Sequence, residues 1–535
     1  MKRDRLSGSS TGLSAIPLSL VCLTLFATVP ATAQSEQTGP EVIEEDYHDT
    51  SIPVRDMAPI APLGSSRHVV KPLGRRPGPP IVSPEPDAVT QDLRQGPLVG
   101  TTNKLNFDGV ADVDGFAPPD TNASVGNTQV VETVNTSVEI FDKSTGASVL
   151  GPAEISSVFS GIPGICGAGA SGNYTDPVVL YDKAAGRWLV TIAAGSDVNF
   201  TTGAECIAVS TSSDATGTYA RYAFSFGADN FNDYPKFGVW PDAYYGSYNM
   251  FNAMTGFFGP RVCAYNRAAM LAGKAANPIC FRGGTGDFSL LPSDLDGSTT
   301  PATGEPNFFL ELGTSTTLDL FKFHVDFTTP SNSTFTGPTV LTVPSYTEAC
   351  FGGTCIPQLG TTQRLDSLAD RLMFRLAYRK FASHEALVVT HSVKTGAAAS
   401  GVRWYEIRNP NTAPTVFQAG TIKSGATSLW MASIGMDKKG DIAVGFSESS
   451  SSLHPAIAYT GRVPTDALGT MESIDVVHKG AGSQTGGLNR WGDYTSMSID
   501  PSDDCTFWYA NEYIPSNGSF NWHTRLNSFK FTGCP

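Results

Sequence analysis

Charged residues are scarce in this sequence, at 16% of 535 residues, and the basic ones are the scarcer sign, with 36 Lys and Arg against 50 Asp and Glu. The net charge of −14 is opposite to that of a surface that binds nucleic acid or an anionic membrane. After the first 33 residues, no apolar run approaches the roughly 20 residues of a membrane-spanning helix. These absences exclude a nucleic-acid partner and a membrane span.

Recognised catalytic motifs are missing or stand in the wrong context. No Gly-x-Ser-x-Gly occurs, and GAGASG (167–172) matches a dinucleotide-binding pattern but leads into a strand rather than a helix. HEALVVTH (384–391) lacks the zinc-binding spacing, because an offset of seven puts the two His on opposite faces of a strand. SIDPSDDCTFW (498–508) departs at the Gly from the repeated box of sialidases. The motifs leave open whether the protein is an enzyme.

The amino terminus has the pattern of a secretory signal peptide over residues 1–33. Lys2, Arg3 and Arg5 precede an apolar stretch at about 16–29, and small residues follow at 31–33. Removing this segment, which carries a net +2, takes the net charge from −14 to −16. We expect a secreted protein, either extracellular or periplasmic.

Eight of the nine cysteines lie beyond the signal peptide. An even number in an exported chain predicts disulfides, although eight cysteines allow 105 pairings. Joining neighbours along the chain closes four local loops, and the repeat described below favours this choice. The predicted pairs are Cys166 with Cys206, Cys263 with Cys280, Cys350 with Cys355, and Cys505 with Cys534.

Two regions follow the signal peptide. Residues 34–98 are rich in Pro and have little apolar periodicity, which predicts a disordered, extended spacer. Residues 99–535 consist of short apolar stretches separated by Gly, Asp, Asn and Ser, the pattern of an all-β domain.

Seven strand-turn-strand units repeat along the second region. The clearest pair is NDYPKFGVWPDAYYGSYN (232–249) and GDYTSMSIDPSDDCTFWYANEY (492–513). The units open near residues 120, 176, 233, 305, 366, 430 and 493. Each is followed by further strands, and four antiparallel strands repeated radially make a propeller blade. The sequence therefore predicts a seven-bladed β-propeller of four-stranded antiparallel blades.

The last unit has only one further strand, HTRLNSFKF (523–531), before the chain stops. We expect the N-terminal strand KLNFDG (104–109) to complete it, because a closed ring leaves no exposed sheet edge.

The motifs APPDTN (117–122), DPVVLYD (176–182), LPSDLDG (291–297), MFRLAYR (373–379) and RWGDYTSMSIDP (490–501) resemble an uncharacterised family of secreted β-propeller proteins. With DYPKFGVWPDAYY (233–245), they span most of residues 105–534. The resemblance implies fold and export, and it carries over no catalytic residue. The architecture is also distantly similar to that of sialidase-like and other propeller glycosidases and lyases, as analogy of fold alone.

The loops that enter the first strands predict a functional face. They carry Asp120, Asp176, Asp233, Glu305, Asp366 and Asp493, with Trp430 in the remaining unit. Crowded carboxylates raise one another's pKa, and two of them at a suitable separation hydrolyse glycosides. Alternatively, Asp at such a junction shapes a turn through its own backbone.

The predicted catalytic residues are Asp493, Glu512, Asp233 and Asp176. Glu512 ends the second strand of the seventh unit, so we expect it beside Asp493, and Glu448 has the same place beside Asp366. The predicted substrate-binding residues are five aromatic side chains that could stack on sugar rings and one arginine that could bind a carboxylate. They are Tyr174, Tyr234, Trp430, Trp491, Tyr494 and Arg375. For Arg375, a salt bridge between blades is the alternative.

No cofactor is predicted, and calcium is the one metal that the sequence brings into question. Asp112-x-Asp114-Gly115 and Asp294-x-Asp296-Gly297 resemble the start of a calcium loop, without its closing Glu. A plain Asp-Gly turn is the alternative interpretation of both.

Two functions remain open. The first is a carbohydrate-active enzyme, a glycoside hydrolase or polysaccharide lyase, acting on an extracellular polysaccharide. The second is a non-catalytic propeller that binds a glycan or a protein in adhesion. We expect a monomer in either case. A pair of acids at about 5–9 Å would support catalysis, whereas acids more than about 10 Å apart would exclude it.

Overall fold

The computed structural model describes residues 38–57, 68–69, 74–94, 99–168, 173–252, 254–396 and 399–535. The protein is all-β, with 53% of its residues in strands and 5% in helices. The predicted signal peptide lies outside the described residues. Within those residues, no helix has the length and apolar character that crossing a bilayer requires.

Most of the described chain forms antiparallel meanders, called here sheets I to VII in chain order. Sheet I consists of Asn122–Val125, Gln129–Thr133, Ser137–Asp142 and Ser148–Glu154. Sheet II consists of Asn173–Asp182, Arg187–Gly195, Gly203–Ser210 and Tyr219–Ser225. Sheet III consists of Asn230–Val239, Ala243–Asn252, Gly256–Asn266 and Ile279–Arg282.

The remaining sheets repeat this arrangement. Sheet IV consists of Leu291–Asp296, Asn307–Leu312, Thr317–His324 and Thr334–Thr342. Sheet V consists of Met373–Lys380, Glu385–Lys394, Ser400–Arg408 and Thr415–Lys423. Sheet VI consists of Ser428–Met436, Ile442–Ser450, Leu453–Arg462 and Asp475–Lys479. Sheet VII consists of Ser496–Ile499, Thr506–Tyr513, His523–Phe531 and, from the other end of the chain, Thr101–Ala111.

The short elements lie between the sheets or at their edges. Two small sheets pair Thr354–Gln358 with Thr361–Asp366 and His68–Val69 with Phe116–Ala117. The described α-helix is Arg267–Leu271. The described 3-10 helices are Val54–Asp56, Ile155–Phe159, Ile165–Gly167, Pro330–Asn332 and Ala349–Gly352.

A repeated Asp-Lys-x-x-Gly turn shows how the sequence reverses the chain. In sheet II, Asp182 Oδ1 accepts the N–H of Ala185 and Gly186 has a φ of +64°. In sheet I, Asp142 Oδ1 accepts the N–H of Thr145, and Gly146 has a φ of +72°. Asp bonds the backbone within the turn and Gly takes the left-handed conformation at little steric cost.

The first strands of the sheets are buried on both faces because each packs between two neighbours. Val178, Val179 and Leu180 in sheet II are at most 5% exposed. First strands of consecutive sheets are in contact from I to VII, and that of sheet VII contacts that of sheet I. Those of sheets IV and V also pair in parallel.

Six of the seven predicted units coincide with the first two strands of a sheet. The fourth does not, because Glu305 precedes the second strand of sheet IV, and the first strand is Leu291–Asp296. The predicted fourth unit therefore begins at the second strand of sheet IV instead of the first. The reason is that LPSDLD has few apolar residues and does not have the pattern of a buried strand.

The predicted disulfides are confirmed. The structure joins Cys166 to Cys206, Cys263 to Cys280, Cys350 to Cys355 and Cys505 to Cys534.

The expectation of no fold in residues 34–98 is wrong for the parts that the structure describes. Glu41–Val42 pairs with the fourth strand of sheet III, and Tyr47–Thr50 pairs with that of sheet II. Thr90–Asp92 runs parallel to the fourth strand of sheet V. An exposed sheet edge offers unpaired N–H and C=O groups, so a polar segment with little apolar periodicity can still add a strand there.

Candidate functional site

Three carboxylates from three sheets meet in the interior. Asp120 precedes the first strand of sheet I, Asp176 lies in the first strand of sheet II, and Asp493 precedes the first strand of sheet VII. One oxygen from each lies within 4.8 Å of the others, and each residue is 1% exposed. These three residues are called the acid cluster below.

The backbone at the acid cluster takes uncommon conformations. Asp120 and Asp176 have φ values of +49° and +54°, and Tyr234 in the adjoining sheet III has +57°. Residues other than glycine seldom adopt this left-handed region, and such strain is concentrated at functional sites. The first strands of sheets II and III both carry a register shift here, a feature that re-aims side chains.

A short hydrogen-bond network fixes the three acids relative to one another. The Asn135 side-chain amide donates to Asp120 Oδ2 at 2.7 Å, and its Oδ1 accepts the Asp176 N–H at 2.8 Å. Asp120 Oδ1 accepts the backbone N–H of Asp493 at 2.7 Å. The cluster is therefore preorganised by the backbone and by one buried amide.

Two cations accompany the acid cluster in different ways. Arg490 Nη2 donates to both oxygens of Asp493 at 2.7 Å. The Lys236 ammonium group lies 3.5 Å and 3.9 Å from the ring centroids of Tyr234 and Tyr494 and donates to the Pro235 carbonyl. Burial lowers the pKa of Lys236 to about 8, although Asp176 and the other cluster acids act in the opposite direction.

The surroundings favour protonated acids. Burial raises the pKa of Asp120 well above its ordinary value, and the charges of Asp493 and Asp176 add to the effect. Burial also raises the pKa of Asp176, against the opposing charge of Lys236. Asp176 Oδ2 accepts the Thr175 hydroxyl, whereas its buried Oδ1 has no hydrogen-bond partner among the described residues. The cluster can thus hold a proton beside the ion-paired carboxylate of Asp493.

The structure brings the four predicted catalytic residues to one region. Asp233 is 8% exposed, and burial together with the charges of Asp176 and Asp493 raises its pKa well above the ordinary value. Glu512 Oε1 accepts the backbone N–H of Gly492, and Oε2 is buried without a partner among the described residues. Burial raises the pKa of Glu512 to about 8, and the charge of Asp493 contributes.

The predicted aromatic platforms are inside the protein. Trp430 and Trp491 are 0% exposed and pack on each other, with ring centroids 5.6 Å apart. Tyr234 and Tyr494 enclose the Lys236 ammonium group, and Tyr174 donates to the carbonyl of Cys166. Their apolar surface is used in packing, so in this structure they offer no face to a sugar.

Arg375 belongs to a different group of charges, called here the ion-pair cluster. Its Nε donates to Asp294 at 2.8 Å and its Nη2 contacts Asp296 at 2.5 Å, while Nη1 donates to the Met497 carbonyl. Lys183 contacts Asp296 at 3.1 Å. The structure thus corrects the substrate-binding expectation, because Arg375 is occupied by the inter-sheet salt bridges that were its alternative.

The other predicted acids are not members of the acid cluster. Glu305 contacts Lys380 at 3.6 Å, and Glu448 is buried in the second strand of sheet VI. Asp366 forms an ion pair with Arg75, which comes from the N-terminal segment.

The two stretches that resemble calcium loops have other partners. Asp112 Oδ1 accepts the N–H of Gly115, and Asp114 Oδ2 accepts the hydroxyls of Thr136 and Ser137. Asp294 and Asp296 bind Arg375, as described above. Carboxylate oxygens spaced like those of the acid cluster would suit a divalent cation better than either stretch, and Lys236 already places a positive charge beside them.

The sequence analysis does not identify Lys236, Arg490 or Asn135 as site residues. It includes Asp120 among the acids at the strand entrances but not among the predicted catalytic residues. Lys236 and Arg490 each lie three residues from a predicted acid, at Asp233 and Asp493. In a chain with so few charges, that proximity was the available signal.

No protein-family model matches the chain, and no curated protein does. Solved structures do resemble it. An ulvan lyase, from a family of polysaccharide lyases, has a TM-score of 0.33 and 10% identity, over 80% of this chain and 97% of its own. An exo-β-1,3-galactanase from Phanerochaete chrysosporium has a TM-score of 0.29 and 12% identity, over 82% and 97%. The WD40 domain of SCAP from fission yeast has a TM-score of 0.32 and 8% identity, over 76% and 82%.

Proposed function

We propose that the protein is a secreted seven-bladed β-propeller whose acid cluster cleaves an extracellular polysaccharide, as a glycoside hydrolase or a polysaccharide lyase. Seven meanders with first strands in contact from sheet to sheet support the architecture. The pairing of Thr101–Ala111 with His523–Phe531 supports closure by the N-terminal strand. Four disulfides support export to an oxidising compartment.

The observation that carries the proposed activity is the meeting of Asp120, Asp176 and Asp493 within 4.8 Å. These oxygens lie inside the limit of about 10 Å beyond which two-carboxylate catalysis is excluded, and slightly closer together than the range of about 5–9 Å that supports it. Acid-base chemistry needs one group that holds a proton and another that stays ionised. Asp120, with its raised pKa, fits the acid. Asp493, held by Arg490, fits the base or nucleophile.

Glu512 fits a supporting role in proton supply. Its pKa of about 8 keeps it protonated at neutral pH, and it touches the backbone N–H next to Asp493. Lys236, whose pKa is also about 8, fits a group that changes charge close to neutral pH.

The test is a screen of the purified protein against plant and microbial polysaccharides, measuring new reducing ends and unsaturated products. On any substrate that is cleaved, Asp493→Asn and Glu512→Gln should each lower turnover on the order of a hundredfold or more. Glu448→Gln is the matched control, since it removes a buried acid with a raised pKa outside the acid cluster. Unaltered turnover in Asp493→Asn would exclude the acid cluster as the catalytic site.

A binding propeller is the second candidate, and the burial of the site favours it. The three cluster acids are 1% exposed, and the predicted stacking residues are all packed inside. Glycan binding without product formation, unaffected by Asp493→Asn, would identify the protein as a binding or adhesion module.

A further inference from the structure

The described parts of the N-terminal segment pair with strands of the sheets and with the strand that precedes Asp120. Tyr47–Thr50 lies on the fourth strand of sheet II, and Thr90–Asp92 lies beside the fourth strand of sheet V. Between them, His68–Val69 pairs with Phe116–Ala117, which ends three residues before Asp120. His68–Val69 therefore lies beside the strand that leads into the loop carrying Asp120.

Residues 74–76 bind three acids that precede the first strand of sheet V in the chain. They are called here the rim acids and are Glu348, Asp366 and Asp370. Arg75 forms an ion pair with Asp366 and donates to the carbonyl of Gly352. Arg76 contacts Glu348 at 3.3 Å through its guanidinium group, and its backbone N–H donates to Asp370 at 3.0 Å.

The fit extends to the backbone of residues 74–76. Arg371 Nη2 donates to the carbonyl of Gly74 at 3.0 Å, and a Cβ at position 74 would collide with the ring of Phe251. A larger residue at this position would require the Phe251 ring to move. The sequence that follows, Pro77-Gly78-Pro79-Pro80, favours an extended chain.

Two links connect the rim acids to the acid cluster. Arg371 pairs with Asp370 and lies with its guanidinium 4.6 Å from the centroid of Tyr234, the ring that also contacts Lys236. Asp366 interacts electrostatically with Arg490, the partner of Asp493. Each link is thus a single cation, Arg371 or Arg490, that interacts both with a rim acid and with a residue at the acid cluster.

We propose that the rim acids form a binding site for guanidinium groups on an extended chain, which Arg75 and Arg76 occupy as an intramolecular ligand that covers the candidate site. A basic, proline-rich peptide binds there once the two arginines are removed. Its role in controlling access to the acid cluster rests on the proposed function, whereas the binding itself does not.

The test uses a fluorescent peptide with the sequence of residues 74–80, Gly-Arg-Arg-Pro-Gly-Pro-Pro, and the full chain carrying Arg75→Gln and Arg76→Gln. Fluorescence anisotropy should show binding to this double variant at least roughly tenfold tighter than to the wild type, because the wild type fills its own site. The affinity should fall with added salt. A peptide with Gln in place of both arginines is the matched control.

Equal binding to wild type and double variant, no binding to either, or equal binding of the Gln peptide would overturn the proposal. Adding Asp366→Asn to the double variant should abolish peptide binding, since Asp366 is the partner of Arg75. Thermal melting shows first whether each variant is folded.

A charge exchange keeps the proposal testable if the double variant does not fold. Arg75→Asp should expose the segment around residue 75 to limited proteolysis by a protease of broad specificity and lower the melting temperature. Arg75→Asp combined with Asp366→Arg should restore both. If the second substitution fails to restore them, the assigned pair of Arg75 and Asp366 is contradicted.

Polysaccharide cleavage is measured in a separate experiment. Absence of cleavage would count against the proposed function, whereas the peptide-binding result decides the present proposal.

Discussion

The acid cluster and the ion-pair cluster contain the same kinds of residues at similar burial, yet their charges are arranged differently. In the ion-pair cluster, Arg375 contacts both Asp294 and Asp296, and Lys183 contacts Asp296. Two carboxylates thus meet two cations directly. In the acid cluster, three carboxylates meet and Arg490 binds Asp493.

The pKa values respond in opposite directions. Burial alone would raise the pKa of Asp296, but Arg375, Lys183 and Arg379 outweigh it and lower the value to about 2. For Asp120, burial and two neighbouring carboxylates act together and raise the pKa well above the ordinary value. Paired charges join sheets, whereas incompletely paired ones retain a proton to exchange. The comparison supports a structural role for the first cluster and the proposed chemistry for the second.

The largest expected effect comes from breaking the ion-pair cluster. Arg375→Met leaves Asp294 and Asp296 buried without their main partner, which should cost about 3–5 kcal/mol of unfolding free energy. Urea unfolding measures it. Arg525→Met is the matched control, because Arg525 pairs with Asp108, whose side chain is 56% exposed, and should cost about 1 kcal/mol or less. Similar losses of unfolding free energy in the two variants would contradict the structural role assigned to Arg375.

Glu512→Gln should change how the unfolding free energy depends on pH, which tests whether acids near the acid cluster are held protonated. The pKa of Glu512 in the folded protein, about 8, lies above its ordinary value of 4.5, so the folded state holds a proton that the unfolded state releases between these values. Stability should therefore fall as pH rises from 4.5 to 8, on the order of 4–5 kcal/mol from this residue. Because Gln cannot ionise, the stability of the variant should not show this decrease with rising pH.

Unfolding free energies of wild type and Glu512→Gln, measured from about pH 5 to about pH 9, check this expectation. Glu132→Gln is the control, since burial also raises the pKa of Glu132 to about 8, against the opposing hydrogen bond from the Val110 N–H. Glu132→Gln should therefore change the pH dependence in the same way and leave polysaccharide cleavage intact. An unchanged pH profile in Glu512→Gln would show that its carboxyl group is not held protonated.

Much of the fold could be predicted because each hairpin of the repeat is determined by residues close together in the sequence. Asp-Lys-x-x-Gly turns and apolar stretches mark the hairpins at 142–146 and 182–186 without reference to distant residues. The same locality explains the disulfides, since each joins neighbouring cysteines. The segment 34–98 was mispredicted because its strands form only against edges supplied by sheets II, III and V.

The candidate site was predictable in position and less so in detail. Asp176 and Asp493 could be found because acids at the entrances of the first strands come together where those strands contact one another. Arg375 was misplaced because strand alternation does not tell which residues of another sheet lie opposite, here Asp294 and Asp296. Trp430 was misplaced because sequence does not show whether an aromatic ring faces solvent or a neighbouring sheet.

Asp296→Asn should produce an intermediate effect with the opposite pH dependence. The pKa of Asp296 in the folded protein is about 2, below its ordinary value of 3.8. Its contribution to stability is therefore present above pH 3.8 and is lost as pH falls toward 2. The shift corresponds to about 2 kcal/mol.

Acid unfolding followed by circular dichroism between about pH 2 and about pH 5 tests this expectation. The wild type should lose stability through the window, and Asp296→Asn should start less stable and change less. A variant that keeps the wild-type acid transition would show that another carboxylate controls it.

The smallest effect on stability is expected from Asp176→Asn in the acid cluster. The substitution removes one of three crowded acids, and an amide oxygen can still accept the Thr175 hydroxyl that Asp176 Oδ2 accepts. The amide N–H group would occupy the place of Oδ1, which has no partner among the described residues. We expect a change of less than about 1 kcal/mol in unfolding free energy, because relief of like-charge crowding offsets the altered hydrogen bonding.

Asp294→Asn is the matched comparison for Asp176→Asn, since it makes the same chemical change in the ion-pair cluster. There the lost charge is a direct partner of Arg375, so unfolding free energy should fall by clearly more than in Asp176→Asn. Urea unfolding of both variants and the wild type at neutral pH measures the two losses of unfolding free energy. Equal losses would mean that the acids of both clusters serve the fold alone. A near-neutral Asp176→Asn with altered cleavage or binding would instead place the function at the incompletely paired acids.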